Sequence, residues 1–455
     1  MIAKIPNKCL EIIKVLNEAG HKAYLVGGSV RDMIMGNIPH DFDITTSATP
    51  SEVIQLFDKT IPTGIDYGTI TVMFDDVGYE VTTFRKDQLY SDGRRPDSIT
   101  FSETIEDDLA RRDFTINAIA YNPFKNAFID PFNGINDIKN KVLKAVGNPD
   151  ERIKEDALRI LRGYRFAVKY HLEIEEATLK AMKDNLLLIN KNISKERINC
   201  ELLKILECSL NMKELNLLWD VFTTAFPVLK ETEGYEQKNP HHDLTLDKHI
   251  LVSISNVQIL KTMNIDCFKI VDFTNLKLAL LLHDIGKIHT QTFDANNVAH
   301  YYGHAEYSGK MAREMLKELK FSNSIVNDVV DLIEKHQIVF PQTKKNMVKF
   351  INKNGLDNVY KYLAIYCADK MSHRNPITKK EIDDLLEKIK EAQLEPMSEF
   401  GLKDLAINGF DVINSTNYRN KEIGIILNAT LNAVLDGVVP NTKKNLIEFI
   451  KKYRL

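Results

Sequence analysis

The sequence predicts an α+β fold, in which a mixed sheet with helices is followed by a long region of helices alone. Short apolar or alternating runs, which are typical of strands, recur within residues 1–140. From residue 151 onward, the apolar residues recur at helical spacing instead. Strands gathered in one part of a chain and helices in another are typical of an α+β architecture. The length of 455 residues indicates roughly two to four domains.

The composition excludes some classes of protein. The formal net charge is −3 and 27% of the residues are charged, so a uniformly basic coat for nucleic acid is excluded and RNA would have to bind to local patches. The five cysteines lack metal-type spacing, and we expect reduced thiols in a cytoplasmic protein. We find no signal-peptide pattern and no apolar run of membrane-spanning length, so no membrane partner is expected.

The first predicted elements lead into a glycine turn. Residues 5–20 predict an amphipathic helix, and residues 24–26 predict a buried strand. Gly27 and Gly28 follow, and glycine backbone can approach a phosphate without a Cβ in the way. The helix that begins there offers free N–H groups to an anion, and Arg31 adds a guanidinium. We therefore predict that Gly28 and Arg31 bind a nucleotide.

A second predicted strand, at residues 41–44, carries two carboxylates. Asp41 and Asp43 alternate with Phe42 and Ile44, so the carboxylates share one face and the apolar side chains the other. Neighbouring carboxylates repel each other, and Mg²⁺ relieves that repulsion with oxygen ligands completed by substrate phosphates. The glycine segment alone could be an ordinary turn, and the two carboxylates alone could be a solvated pair. The two features together predict a Mg²⁺–nucleotide site with Asp41 and Asp43 as the metal ligands.

Further strands and a loop are predicted before residue 140. Residues 68–74 and 79–84 alternate like paired strands, and residues 128–132 predict a closing strand. Glu80 lies on the second of these strands and is either a third metal carboxylate or a solvent-facing residue. Residues 84–101 are polar and rich in Arg, which predicts a mobile loop.

Two motifs carry a resemblance to a known family. GGSVRD followed by DFD, and RRDFTINA at residues 111–118, resemble the signatures of the nucleotidyltransferase superfamily related to DNA polymerase β. More narrowly, they resemble the class II tRNA nucleotidyltransferases (CCA-adding enzymes) and the bacterial poly(A) polymerases. The resemblance implies a polymerase-β-like nucleotidyltransferase head in which Asp41 and Asp43 are catalytic. Arg112 would donate to the triphosphate, while Asp113 and Asn117 would contact sugar hydroxyls or hold the arginine. The loop resembles the flexible loop that relatives adding only two cytidines lack.

Residues 151–170 predict one continuous helix with a polar stripe. Asp156, Arg159, Arg162 and Arg165 follow one another at intervals of three, and the EDxxR pattern here resembles a family motif. Cytosine and adenine present an amino donor beside a ring-nitrogen acceptor, which an Asp acceptor and an Arg donor complement, whereas guanine and uracil present the reverse. We predict that Asp156 and Arg159 read the base, and that Arg162 and Arg165 contact phosphates or support the pair. A solvated basic face is the alternative.

Eight of the twelve histidines lie between residues 241 and 336. This clustering resembles the HD superfamily of metal-dependent phosphohydrolases, whose ligand pattern is H…HD…D. The resemblance implies these metal ligands: His249, His283, Asp284 and Asp369, with His304 and His336 placed like the additional ligands of two-metal versions. Imidazole and carboxylate ligands suit a divalent transition metal or Mg²⁺, which would activate a water for hydrolysis. The remaining histidines of the run are predicted to be structural: His241, His242, His289 and His300.

The resemblance implies that the chain is divided into four domains. They are a catalytic head at residues 1–140, a helical neck with the base-reading helix at 141–236, an HD-type helical body at 237–375 and a helical tail at 376–455. The tail is predicted to contact tRNA through basic residues such as Arg419, Lys443 and Lys444.

The implied function is CCA addition to the tRNA 3′ end from CTP and ATP, without a nucleic-acid template and with release of pyrophosphate. The expected partners are tRNA, CTP and ATP, with Mg²⁺ in the head and no DNA. A poly(A) polymerase or A-adding enzyme would share every head motif and stays open. An HD phosphohydrolase that uses the head for RNA recognition, and a non-catalytic RNA-binding protein, are less consistent with intact Asp41, Asp43 and Arg112.

Overall fold

The structure is a computed structural model, and it describes residues 5–39, 41–87, 99–263, 265–395 and 400–453. The chain divides into two compact units. The first comprises Met1–Val228 with Glu318–Phe321, and the second comprises Leu229–Lys317 with Ser322–Leu455. The predicted head and most of the predicted neck belong to the first unit, and the predicted body and tail belong to the second.

The first unit is built around one mixed sheet. The strands described along the chain are β1 Ala23–Val26, β2 Asp43–Thr46, β3 Thr60–Gly64, β4 Thr69–Phe74, β5 Val77–Thr83, β6 Arg85–Asp87, β7 Ile99–Phe101, β8 Ala120–Asn122, β9 Ala127–Ile129, β10 Val142–Leu143, β11 Glu173–Ile174, β12 Thr292–Phe293 and β13 Ala299–His300. Seven of them form the sheet, in the order β3-β4-β5-β2-β1-β8-β9. Within it β2 and β5 run parallel, and the other neighbouring strands run antiparallel.

Helices cover this sheet and continue beyond it. The helices described in the first unit are α1 Asn7–Glu18, α2 Gly28–Ile34, α3 Pro50–Leu56, α4 Ile105–Ala110, α5 Gly134–Asn140, α6 Pro149–Glu155, α7 Leu158–Lys169, α8 Glu176–Asp184, α9 Leu188–Asn192, α10 Lys195–Glu207 and α11 Met212–Ala225. The apolar faces of α1 and α2 pack with β1, β2, β4 and β5 in one core. Burial of this apolar surface is the main force that holds the sheet and helices together.

The early elements confirm the sequence prediction. In α1 the buried side chains are those predicted to face inward: Cys9, Ile12, Ile13 and Leu16. β4 and β5 form the predicted hairpin, with a tight turn at Asp75 and Asp76. The second strand begins at Asp43 rather than at Asp41, so Asp41 belongs to the connection that enters the strand.

The continuous helix predicted at residues 151–170 is wrong at its centre. α6 ends at Glu155, Asp156 has the extended dihedrals φ −140° and ψ 103°, and α7 begins at Leu158. The physical reason is a local hydrogen bond, because the Asp156 carboxylate accepts the Leu158 backbone N–H at 3.0 Å. Short polar side chains compete in this way with helical backbone hydrogen bonds. Asp156 therefore lies at a corner between two helices rather than on a helical stripe.

The mobile loop predicted at residues 84–101 is described only near its ends. β6 and β7 pair as antiparallel strands there. Residues 88–98 of that prediction lie outside the described part of the chain.

The second unit is helical. Its described helices are α12 Leu246–Thr262, α13 Phe273–Leu282, α14 Lys287–Thr290, α15 His304–Glu318, α16 Asn323–Lys335, α17 Lys344–Asn354, α18 Leu356–Lys370, α19 Lys379–Gln393, α20 Gly409–Ser415, α21 Lys421–Leu435 and α22 Lys443–Lys452. α13 is buried almost all round and packs against α12, α16 and α18. The last three helices pack around a small core of their own. None of the helices in the described ranges is long and apolar enough to cross a membrane.

Candidate active site and candidate metal centre

A glycine turn after β1 brings a carboxylate and an arginine together. Gly27 has φ +74°, a backbone conformation that favours glycine. A Cβ at Gly27 would lie 2.8 Å from Arg112 Nη1 and 3.9 Å from Asp43 Oδ2. The absence of a side chain thus lets the backbone of this turn, a guanidinium and a carboxylate approach one another closely. Gly28, the first residue of α2, follows directly.

Three carboxylates lie near this turn and interact electrostatically. Asp41 precedes β2, Asp43 opens it, and Glu80 lies on β5, which pairs with β2 in parallel. Loss of hydration, together with the charge of Asp41, raises the pKa of Asp43, although the Arg112 charge opposes the shift. Loss of hydration and the charges of Asp43 and Asp41 also raise the pKa of Glu80. The three groups repel one another electrostatically, and a divalent cation would remove that repulsion.

Asp108 holds Arg112 in place. Its carboxylate is fully buried and accepts hydrogen bonds from Arg111 at 2.8 and 3.0 Å and from Arg112 Nη2 at 3.2 Å. Burial alone would raise the pKa of Asp108, but the two guanidinium groups hold that pKa below its ordinary value. Arg112 Nε has no hydrogen-bond partner among the described residues. Arg112 therefore keeps donor capacity for an anionic ligand.

Arg31 is buried, and its guanidinium already has several partners. It donates to Asp32 at 2.9 Å, to Asn117 Oδ1 at 2.6 Å and to Tyr170 Oη at 2.6 Å. The guanidinium also lies over the Tyr170 ring, 4.5 Å from its centroid. These contacts attach α2 to the end of α7. The predicted phosphate contact of Arg31 stays a prediction.

Asn117 joins Arg31 to a second ion pair. It donates to Asp113 Oδ1 at 2.9 Å, and the other oxygen of Asp113 accepts from Arg162 Nε at 2.8 Å and Nη2 at 2.6 Å. Burial would raise the pKa of Asp113, but the Arg162 charge and the Asn117 hydrogen bond hold it well below its ordinary value. Asp113 and Asn117 thus hold Arg162 and Arg31, whereas Arg112, the arginine they were predicted to hold, is held by Asp108. Their contact with sugar hydroxyls stays a prediction.

The structure gives Asp156 and Arg159 separate partners. Asp156 Oδ2 accepts from Arg197 Nη2 at 3.2 Å. Arg159 is buried and donates to Glu155 at 2.7 Å and to two backbone carbonyl oxygens. Arg165 donates to the buried Glu201 at 2.6 Å. Their roles in base reading and phosphate contact stay predictions.

Sequence reasoning missed Arg197 and Glu201. Both lie on α10, four residues apart, and each contacts one end of the polar stripe of residues 156–165. Two opposite charges at this spacing on one helix face were the available signal, because residues four apart are neighbours on a helix surface.

Six ligand-type side chains meet in the second unit, and all are buried. They are supplied by α12 (His249), the residues after α13 (His283 and Asp284), the start of α15 (His304), the residue after α16 (His336) and α18 (Asp369). We call them the histidine cluster. The set predicted from the sequence is thus brought together, whereas His289 and His300 lie elsewhere, beside Tyr307 and Tyr302.

Asp284 joins two halves of the histidine cluster. Its Oδ2 lies 3.1 Å from His249 Nε2 and 3.3 Å from His283 Nε2, and its Oδ1 lies 3.1 Å from His304 Nε2 and 3.6 Å from His336 Nε2. Asp369 Oδ1 adds to the first half, at 3.1 Å from His249 Nε2.

Hydrogen bonds at the far side of each ring decide what the histidine cluster can bind. Nδ1 of His283, His304 and His336 lies 2.6–2.7 Å from a backbone carbonyl oxygen, which can only accept, so Nδ1 carries the proton. His249 Nδ1 lies 2.8 Å from Ser372 Oγ, which donates in turn to the Asp369 carbonyl. Each Nε2 then directs a lone pair inward. The Nε2 atoms of His249 and His283 lie 3.2 Å apart, and those of His304 and His336 lie 3.3 Å apart.

The donor set of the histidine cluster fits a metal pair. Asp284 Oδ2 forms a buried ion pair with the Lys287 ammonium at 2.7 Å, and the remaining close contacts of this carboxylate are to the inward Nε2 atoms of the histidine cluster. Lone pairs and carboxylates that converge with no proton between them need a cation. Without a metal that cation is a proton: burial lowers the pKa of His283, but the charges of Asp284 and Asp369 outweigh it and raise the pKa to about 10.

Two further histidines lie against the histidine cluster. The His242 ring centroid lies 5.0 Å from that of His249 and 4.4 Å from that of His373. Burial and the Lys287 charge lower the pKa of His242 to about 2, so its ring is neutral. His242, which was predicted to be structural, thus packs against the histidine cluster, and its role stays a prediction. His373 was missed, although it follows Asp369 by one helical turn.

Comparisons with known proteins show the family to which this chain belongs. The family model for the "Poly A polymerase head domain" matches residues 23–144, and the model for "tRNA nucleotidyltransferase domain 2" matches residues 294–450. The CCA-adding enzyme of Staphylococcus epidermidis is 33% identical over 449 residues, which is 96% of this chain and 96% of that enzyme. This chain belongs to the CCA-adding enzyme family.

Other members of the CCA-adding enzyme family match over different lengths. The enzyme of Lactobacillus helveticus is 47% identical over 207 residues, which is 45% of this chain and only 51% of that enzyme. The Bacillus stearothermophilus CCA-adding enzyme, solved in complex with CTP, has a TM-score of 0.68 at 26% identity and covers 98% of this chain and 96% of its own. His249, His283 and Asp284 lie outside the two segments that the family models above match.

Proposed function

We propose that this chain adds C, C and A to the 3′ end of tRNA from CTP and ATP, without a nucleic-acid template and with release of pyrophosphate. The observation that carries the proposal is the family relationship, which spans 96% of the chain. The convergence of Gly27, Asp43 and Arg112 supports it, because a triphosphate needs close backbone, a cation site and a guanidinium. We place the activity in the cytoplasm, where its substrates occur.

In the proposed reaction, the RNA 3′-oxygen attacks the α-phosphorus, the bond to the β-phosphate breaks and pyrophosphate leaves. Asp41 and Asp43 hold Mg²⁺, with Glu80 beside them. When bound, Mg²⁺ supplies charge neutralisation at the phosphates and favours loss of the 3′-hydroxyl proton. Arg112, which Asp108 holds beside Gly27, donates to the triphosphate. Gly28 and Arg31 follow Gly27 on α2 and are proposed to contact the nucleotide, and Arg31 also donates to Asn117.

Base selection is proposed for Asp156 and Arg159. The carboxylate accepts from the amino group of cytosine or adenine, and the guanidinium donates to the adjacent ring nitrogen. Both side chains already have protein partners, Arg197 and Glu155, so a base must share these groups or replace those partners. Exchange of the two residues, Asp156→Arg with Arg159→Asp, should reduce selectivity for CTP and ATP over UTP and GTP. Unchanged selectivity would contradict this role.

The experiment that tests the function uses tRNA transcripts that end before CCA. Labelled CTP and ATP are supplied separately and together, with Asp41→Ala as the control. Addition of C, C and then A, with no further extension and no product from the variant, is expected. Long A tails would indicate a poly(A) polymerase, and addition of A alone to transcripts ending in CC would indicate an A-adding enzyme. No incorporation would shift attention to the second unit.

A second function is favoured by the histidine cluster. We propose that His249, His283, Asp284 and Asp369 hold one divalent metal ion, and that Asp284, His304 and His336 hold a second. A bound metal of this kind supplies a water of lowered pKa for phosphoester hydrolysis. The ring orientations carry this proposal, because every Nε2 lone pair is directed inward by a partner on Nδ1. The test is the metal content of the purified chain, followed by hydrolysis of bis(p-nitrophenyl) phosphate.

A further inference from the structure

The two outer histidines, His242 and His373, are held differently from the four of the histidine cluster. His242 Nε2 lies 3.5 Å from Lys287 Nζ, and His373 Nδ1 lies 3.4 Å from Lys370 Nζ. An ammonium group donates and never accepts, so the ring nitrogen facing it must be the acceptor. In a neutral imidazole the proton is then on the other nitrogen. This places an N–H at His242 Nδ1 and at His373 Nε2.

These two N–H groups have different surroundings. His373 Nε2 lies 3.4 Å from Asp369 Oδ2, an acceptor. His242 Nδ1 is buried and has no hydrogen-bond partner in the ranges that the structure describes. A buried donor without a partner is energetically unfavourable, so it favours a ligand that can accept.

Distance alone would allow a metal ion here. One ligand atom each of His242, His249 and His373 lies within 4.8 Å of the others. However, the nitrogens that carry protons cannot be metal ligands. The Lys287 ammonium is itself paired with Asp284 Oδ2 at 2.7 Å and donates to Gln237 at 2.8 Å, so the positive charge offered to a ligand comes mainly from Lys370. This charge and the N–H donors disfavour a cation and favour an anion.

A cavity of about 380 Å³ opens beside these groups. His241, His242, Lys287, Lys370 and His373 line it, and no described Asp or Glu does. Its size lies within the range of small-molecule sites. His304 of the histidine cluster also lines it, so a ligand in this cavity would touch the proposed metal centre.

We propose that this cavity is an anion subsite that takes the phosphate of a phosphate ester, with His242 Nδ1–H donating to a non-bridging phosphate oxygen. The Lys370 ammonium neutralises part of the phosphate charge. His242 and His373 are then substrate-side donors and not ligands of a third metal. This assignment deepens the proposed second function and rests on the two-metal centre.

The test uses the full chain with Asp41→Ala and Asp43→Ala, so that the head contributes no bound metal. The chain is loaded with Mn²⁺, its metal content is measured by atomic absorption, and binding of inorganic phosphate is followed by Mn²⁺-enhanced ³¹P relaxation. We expect two Mn²⁺ ions and bound phosphate. His242→Leu should keep both ions and weaken phosphate binding about tenfold or more. His242→Asn, whose amide N–H can replace that of Nδ1, should keep most of the affinity and controls for folding.

Three Mn²⁺ ions that fall to two in His242→Leu would make His242 a ligand and overturn the inference. Phosphate affinity that is unchanged in His242→Leu would also overturn it. A chain without Mn²⁺ would instead remove the two-metal centre. Calorimetric titration of the metal-free chain with phosphate then decides the subsite by itself: weaker binding in His242→Leu supports it, and equal binding overturns it.

Discussion

The two candidate metal sites differ in how completely the protein builds them. In the first unit, Asp41, Asp43 and Glu80 are exposed side chains on or just before the central strands β2 and β5, and loss of hydration together with neighbouring carboxylates raises the pKa of Asp43 and of Glu80. In the second unit, the ligand atoms of His249, His283 and Asp284 lie within 4.8 Å of one another and are buried. The head carboxylates do not form such a group within the described residues.

This difference reflects what completes each site. Mg²⁺ keeps several waters and is usually bound through one or two carboxylates plus substrate phosphates. The exposed carboxylates of the head therefore suit an ion that arrives with a nucleotide. Imidazoles oriented by backbone carbonyls are ligands in place before any substrate arrives. The head should therefore need added Mg²⁺, whereas the histidine cluster should retain its metal through purification.

The largest expected effect is on nucleotide transfer. Asp43→Asn keeps the shape of the side chain but removes a metal ligand, and we expect incorporation of CMP and AMP to fall by about a thousandfold or more. Asp284→Asn, which removes a carboxylate from the other site, should leave incorporation into tRNA within about twofold. Equal losses in the two variants would show that the two sites do not act independently.

The next effect concerns the number of metal ions. Asp284 has one oxygen in each half of the histidine cluster, so Asp284→Ala should remove both ions. His336→Gln alters one half only and should remove one ion. Metal analysis after dialysis separates these outcomes. Loss of one ion from each variant would show that Asp284 does not bridge the halves.

Acid should release these ions. Protons compete with a metal for Nε2, and the pKa of His283 in the metal-free chain is raised to about 10 by the charges of Asp284 and Asp369, so metal retention should fall as the pH is lowered. Retention measured by dialysis at stepwise lower pH checks this. Retention that is independent of pH would indicate that imidazoles are not the ligands.

Much of the head could be predicted from the sequence because its chemistry is local. GGSVRD, DFD and RRD each place their polar groups within a few residues, and the strand and turn patterns that flank them have short-range causes. The corner at Asp156 could not be predicted in this way, since a helical pattern continues through it. The partners of Asp156 and Arg165 come from α10, some 40 residues later, and only packing brings them together.

The second unit shows the same limit at longer range. Residue types and order predicted which side chains meet in the histidine cluster, although these lie on several helices between residues 249 and 369. The carbonyl that fixes the proton of His283 is local, three residues earlier in the chain, whereas the lysine that faces His242 is 45 residues away and is brought there by tertiary structure. The proposed donor role of His242 could therefore not be predicted from spacing.

A smaller effect, on the free energy of unfolding, distinguishes the buried carboxylates of the head from the exposed ones. Asp113→Asn should destabilise the chain by about 3 kcal/mol at pH 7, because it leaves Arg162 without its buried partner. The pKa of Asp113 is lowered by folding, so its contribution is present above about pH 4 and is lost as the pH falls through the folded pKa. Denaturant unfolding at several pH values should show the deficit shrinking in acid.

Asp43→Asn should have the opposite effect on stability. The pKa of Asp43 is raised in the folded chain, so ionised Asp43 destabilises the fold slightly and its neutralisation should stabilise it. Measured by the same unfolding experiment, a loss of stability in Asp43→Asn as large as that in Asp113→Asn would remove the distinction between an open site and a buried pair.

The smallest effect tests how the glycine turn positions Arg112. Gly27 and Gly36 both have positive φ, +74° and +78°, so an Ala at either position costs about 1 kcal/mol or more in backbone strain. A Cβ at Gly27 would also clash with Arg112 Nη1 at 2.8 Å, whereas a Cβ at Gly36 would meet nothing within 4 Å. Gly27→Ala should therefore lower nucleotide incorporation about tenfold by displacing the guanidinium, and Gly36→Ala should not. Both variants are compared at a temperature where each is folded, with incorporation and unfolding measured side by side. Equal incorporation would mean that the close approach of Arg112 to the turn does not contribute to catalysis, and the open site would then rely on its carboxylates alone.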